Sequence, residues 1–76
     1  MRLFFGGYLD FYHPQRRNWL DVEINQPELL VDVLTRLGIP VSEVQLVVLN
    51  GENVDLRETV VSAQDEVKLY SAVGGG

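Results

Sequence analysis

Few residues in this chain have chemistry to offer. There is no cysteine and a single histidine, so a thiolate nucleophile, a disulfide framework and a Cys/His metal set are all excluded. His13 stands beside Pro14 in a polar stretch and reads as a surface histidine. Asp65-Glu66 places two carboxylates side by side. Neighbouring strand residues point to opposite faces, so the pair does not converge on a metal or a shared proton and reads as solvated turn residues. Arg16-Arg17 is the one basic doublet, and it reads as a solvated loop in a chain with eleven acidic and six basic residues. Gly6-Gly7 lacks the Gly-Lys-Ser/Thr ending of a phosphate loop and opens no helical pattern. What remains is Gly74-Gly75-Gly76. Three glycines have no side chain to pack and no fixed backbone preference. They form either an inert end or a bare backbone handle that closes on a carboxylate.

A handle needs a body, and the preceding residues describe one. Arg2 to Phe5 reads as a strand broken by Gly6-Gly7, with Leu3 and Phe5 inward and Phe4 outward. Tyr8 to Tyr12 reads as an irregular turn whose Leu9 and Phe11 pack over one end of the core, followed by a surface loop from His13 to Asn18. Trp19 to Ile24 alternates, with Leu20, Val22 and Ile24 on one face and Trp19, Asp21 and Glu23 on the other. These two strands suggest an antiparallel hairpin.

Asn25-Gln26-Pro27-Glu28 reads as a helix start, with Pro27 in the first turn. Leu30, Val33, Leu34 and Leu37 make one apolar stripe, and Gly38 and Pro40 stop the helix after roughly ten residues. Val44 to Leu49 is apolar at both parities, which predicts a central strand or one with an exposed apolar patch. Asn50-Gly51 is a strong hairpin signal, and Glu52-Asn53-Val54 the return strand. Asp55 to Gln64 reads as a loop pegged to the core by Leu56 and Val60. Asp65 to Tyr70 is the last strand, with Val67 and Leu69 inward and Lys68 and Tyr70 outward.

The expected fold is α+β: a mixed four- to five-stranded sheet with one helix packed across one face. Residues 1–70 form the body and 71–76 a flexible glycine tail. The uncovered face is expected to carry Phe4, Val47, Leu49, Lys68 and Tyr70. That is too much apolar area for an idle surface, so these residues are the expected partner-docking face unless the Tyr8–Tyr12 segment covers them.

Composition narrows the partners. The formal charge is −5, and every basic residue but Lys68 is an arginine. No basic stripe exists to track phosphates, which argues against nucleic acid. An acidic body suits a partner with a basic docking surface. No apolar run has the length of a membrane span and no signal-peptide pattern opens the chain, so the expectation is a cytoplasmic protein without membrane contact.

The residues also resemble a known family. Arg2-Leu3-Phe4-Phe5-Gly6, the run from Val48 to Leu56 with its Asn-Gly turn, Asp65 to Tyr70, and Val73-Gly74-Gly75-Gly76 are together similar to the MoaD and ThiS sulfur carriers, whose fold is the ubiquitin-like β-grasp. The departures are Gln64 where that family has glycine, Ser71-Ala72 where it often has proline, and a third terminal glycine. The resemblance implies that an ATP-dependent activating enzyme adenylates the Gly76 carboxylate and that a sulfur donor converts it to a thiocarboxylate. Gly74 and Gly75 would thread the enzyme's channel. A synthase large subunit or a thiazole synthase would then take the sulfur for molybdopterin or thiamine synthesis. On this reading the chain is a protein co-substrate and not an enzyme. It binds no cofactor, and ATP and metal belong to the activating enzyme. The run from Leu9 through Arg17, and Leu37-Gly38-Ile39-Pro40, also resemble a ubiquitin-like domain found fused to a ribonuclease-type domain, which needs no di-glycine end. A protein modifier joined through Gly76 and a plain interaction domain are the remaining alternatives.

Overall fold

A computed structural model describes residues 1–72 of the chain. Its elements run β1 (Arg2–Phe5), β2 (Trp19–Asp21), β3 (Glu28–Leu29), α1 (Leu30–Arg36), β4 (Leu46–Leu49), β5 (Glu52–Val54), β6 (Val60–Val61) and β7 (Glu66–Tyr70). Short 3₁₀ turns lie at Leu9–Tyr12, Val41–Glu43 and Leu56–Glu58. Five strands form one mixed sheet in the order β2-β1-β7-β4-β5. The central pair, β1 and β7, is parallel; the other pairings are antiparallel. With one helix, this is the ubiquitin-like β-grasp.

Alternation builds the core. Leu3 and Phe5 of β1, Val67 and Leu69 of β7 and Val47 of β4 join Leu30, Val33 and Leu34 of α1 in one buried cluster. Met1, Leu9, Val61, Val22, Ile24 and Ile39 complete it from the chain start, the connecting segments and the short β6. Each such side chain, fully buried, contributes about 1.5–3 kcal/mol.

The helix is shorter than the pattern predicts. Pro27 precedes it, and Glu28–Leu29 is an extended strand pairing with Val60–Val61 in a second, two-stranded sheet. Neither of these two short strands has enough residues to show a period of two. At the other end the expectation holds. Gly38 sits at φ +79°. Ile39 N–H donates to Leu34 O at 2.9 Å and Gly38 N–H to Thr35 O at 3.1 Å, which is a Schellman motif.

Three smaller expectations are corrected. Phe11 is 59% exposed while Leu9 alone of that pair is buried, with Tyr12 packing at the core's edge instead. A 3₁₀ turn repeats every three residues, so positions two apart cannot share a buried face. Val61, not Val60, enters the core, because pairing with β3 turns Val60 outward, 53% exposed. Ser71 belongs to the body: it is 7% exposed and hydrogen-bonded. Among the described residues, no helix is long and apolar enough to cross a membrane.

Candidate functional site

The face of the sheet turned away from the core collects the alternate residues of β2, β1, β7, β4 and β5. Register places Trp19, Phe4, Lys68, Val48 and Asn53 in one row across all five strands. Tyr70 opposite Leu46 makes a second row, and Asp21, Arg2 and Glu66 a third. Phe4 is the hub. Its ring centroid lies 5.0 Å from Trp19 and 5.9 Å from Tyr70, both tilted, a geometry that aromatic quadrupoles favour. The Arg2 guanidinium lies 4.2 Å from the Trp19 ring centroid and its Nη1 is 3.3 Å from Glu66 Oε2. Trp19 and Leu46 remain 37% and 43% exposed. The result is an aromatic band with the Lys68 stem at its centre and charge along one side.

Phe4, Lys68 and Tyr70 stand on this face as expected; Val47 and Leu49 do not. Val47 is 2% exposed and opposite Leu69, and Leu49 is opposite Val67 at the edge of the core. Leu46 and Val48 take the outer positions instead. A strand apolar at both parities does not reveal its own faces. The hairpin does: Asn50 and Gly51 have φ of +50° and +88°, fitting a two-residue turn that pairs Leu49 with Glu52, Val48 with Asn53 and Val47 with Val54. The contrast between polar Asn53 and apolar Val54 therefore assigns Val48 outward and Val47 inward. That signal was available in the sequence, as was the outward parity of Trp19, which joins the band beyond the packing role its residue type suggests.

The band ends where the chain leaves β7. A Cβ on Gly6 would lie 2.5 Å from Cδ1 of Tyr70, and one on Gly7, at φ +61°, would lie 2.1 Å from Ser71 Oγ. Gly6 N–H donates to Leu69 O at 2.7 Å, and Tyr8 N–H donates to Ser71 Oγ at 2.8 Å. So Gly6-Gly7 is a cradle for the end of β7, which fixes where the C-terminal segment starts. Gly74, Gly75 and Gly76 lie outside the described residues.

A family model described as Mut7-C ubiquitin matches residues 3–73. The chain belongs to the Mut7-C ubiquitin family. No curated protein matches it. The match agrees with the β-grasp topology and covers the helix, the cradle and every strand of the sheet except Arg2 of β1.

In this Mut7-C ubiquitin domain His13 is not a surface residue. It is 5% exposed, with its ring edge-on to Phe5 at 5.6 Å. Nδ1 accepts from Gln15 N–H at 2.9 Å, which puts the ring proton on Nε2, 2.7 Å from Trp19 O. Both nitrogens are committed to holding the loop that delivers Trp19 to the outer face. Sequence gave no signal for this, since the contact joins a polar loop to a ring it meets only after folding.

The two adjacent carboxylates diverge, as their parity requires. Glu66 faces Arg2. Asp65 accepts from Asn50 Nδ2 at 2.9 Å and from Ser62 N–H at 2.8 Å, while Asn50 Oδ1 accepts from Glu66 N–H at 2.9 Å. Asn50 thus locks the hairpin turn to the start of β7. The Asn50 bond, with those from Ser62, outweighs partial burial and holds the Asp65 carboxyl below its ordinary 3.8. A depressed pKa contributes stability above the unfolded value and loses it as pH falls through the folded one. Melting temperature is therefore expected to drop as pH falls below 3.8. Asp65→Asn should melt lower than the parent at neutral pH, and the gap should close in acid; a gap independent of pH would remove the ionised latch.

A cleft lies beside the cradle. Tyr8, Asp10, Phe11, Tyr12, Arg16 and Glu43 line its volume of about 380 Å³. Tyr12 Oη donates to Glu43 Oε2 at 2.8 Å. That bond, partial burial and the Glu43 charge raise the phenol above its usual 10.0.

Proposed function

We propose that the chain is a protein-borne sulfur carrier: a partner grips the outer aromatic face, and the segment after Ser71 is presented to that partner's reaction centre. The observation that supports this is continuity. Phe4, Trp19 and Tyr70 form one band, and Tyr70 is joined directly to Ser71, which the Gly6-Gly7 cradle holds. A partner bound to the band therefore meets the chain beside Ser71, where the C-terminal segment starts.

The chemistry follows from the resemblance to the MoaD and ThiS carriers. An oxygen of the Gly76 carboxylate attacks the α-phosphorus of ATP and pyrophosphate leaves. Hydrosulfide attacks the resulting acyl carbon, AMP leaves, and a thiocarboxylate remains. ATP, metal and catalytic groups belong to the activating enzyme. Gly74 and Gly75 supply a backbone narrow enough to enter it, since a side chain there would widen the segment. A second reading is favoured by the family match, which ends before Gly74: a ubiquitin-like interaction domain that uses the same band without tail chemistry.

Intact mass separates the two. The full chain is incubated with ATP, hydrosulfide and activating enzymes of the molybdopterin and thiamine types. Replacement of one oxygen by sulfur at the C-terminus is the expected result. Deletion of Gly75 and Gly76 should abolish the mass change and leave the thermal melt intact. High-mass conjugates would convert the reading to that of a protein modifier, and an unchanged mass with both enzymes to that of the interaction domain.

A further inference from the structure

The cleft beside the cradle is separate from the outer band and plays no part in the carrier chemistry. Its wall is aromatic: Tyr8 and Phe11 are 60% and 59% exposed, and Phe11 meets Tyr12 edge-on at 5.2 Å. Its rim is acidic. Glu43 is held by the Tyr12 hydroxyl through Oε2, and the Asp10 carboxylate has no ion-pair partner among the described residues. Exposed ring faces beside carboxylates attract a cation through the ring quadrupole and through charge together. One cation is already there: the Arg16 guanidinium lies 4.6 Å from the Phe11 ring centroid. Arg16 reaches it from a backbone at φ +59°, a region that non-glycine residues seldom occupy.

We propose that this cleft receives one arginine or lysine side chain of a protein partner, with the Phe11 face taking the cation, Asp10 and Glu43 complementing its charge, and Arg16 acting as the resident competitor. The net charge of −5 favours a partner that is basic where it touches this body. Position favours the same partner that handles the C-terminal segment, because Tyr8 N–H is bonded to Ser71 Oγ and the cleft therefore adjoins the point where β7 ends. Only this choice of partner rests on the carrier reading; binding in the cleft does not.

The test uses the full chain without ATP or activating enzyme. The probes are the capped tripeptide acetyl-Gly-Arg-Gly-amide and its citrulline counterpart, which keeps shape and loses charge. Ring resonances of Tyr8, Phe11 and Tyr12 are expected to shift saturably with the arginine peptide and far less with citrulline. Arg16→Gly suits the positive φ, so the fold is retained while the Phe11 face is vacated. It should tighten the arginine peptide by about two- to fivefold. Phe11→Ala removes only a half-exposed ring and should abolish the shifts, and Glu43→Ala should weaken them. Equal response to citrulline, an absence of shifts, or no tightening in Arg16→Gly would overturn the proposal. Any of these leaves the mass experiment on the C-terminal carboxylate unaffected, so the two readings fail separately.

Discussion

Gly7→Ala is expected to lower the melting temperature by about 10–20 °C while leaving the sheet's hydrophobic core unaltered in composition. Two costs combine. The backbone at φ +61° is in the left-handed region, which costs a residue with a Cβ about 1–2 kcal/mol. The added carbon also falls 2.1 Å from Ser71 Oγ and 3.2 Å from its Cβ and backbone nitrogen. Ser71 must rotate away, which leaves Tyr8 N–H without its acceptor at a net cost of about 1 kcal/mol. In a domain of this size each kcal/mol moves the melt by about 4–8 °C. Ser71→Gly separates the terms. In that background Gly7→Ala should cost only the backbone term, so a double-mutant cycle measures the contact between cradle and strand end. Additive melts across the cycle would show that the contact between Gly7 and Ser71 does not hold the end of β7.

On the proposed carrier function, Phe4→Ala is expected to raise the concentration of chain needed for half-maximal thiocarboxylate formation by about thirtyfold, with little change in the maximal rate. Among the described residues Phe4 is the only ring in contact with both Trp19 and Tyr70, so its loss uncouples the band. Central aromatic anchors of this kind dominate interface energies, while rim charges such as Arg2 and Glu66 contribute little. The ring is half-buried on the open face and outside the core cluster, so the fold should survive its removal. Val47→Ala is the contrast: its side chain lies in the core, so stability should fall and the half-saturating concentration should stay near the parent's. Equal saturation of Phe4→Ala and the parent would exclude the band as the partner's grip.

These outcomes depend on which residues face which way, and the sequence resolved that unevenly. Where apolar and polar residues alternate, as in Val67-Lys68-Leu69, the side of the sheet can be read directly, because strand geometry has a period of two. Fold class and the end of the helix at Gly38 are legible for similar local reasons. In Leu46-Val47-Val48-Leu49 every position is apolar, so composition carries no parity, and only the hairpin register against Asn53 and Val54 supplies it. His13 shows a sharper limit, since the residue's burial is set by Phe5, Gln15 and the Trp19 carbonyl acting together.

By itself, then, the sequence determined an acidic α+β body with one helix on a mixed sheet, followed by three glycines, because periodicity, turn chemistry and composition act over short distances. Tertiary structure alone decided that Gly6-Gly7 receives Tyr70 and Ser71 from the far end of the chain, and that Trp19, Phe4 and Tyr70 meet in one band. The cradle and the Phe4–Tyr70 contact come from the parallel pairing of β1 and β7, the first and last strands of the chain, and Trp19 joins through the antiparallel pairing of β2 with β1; both join segments that no local pattern links.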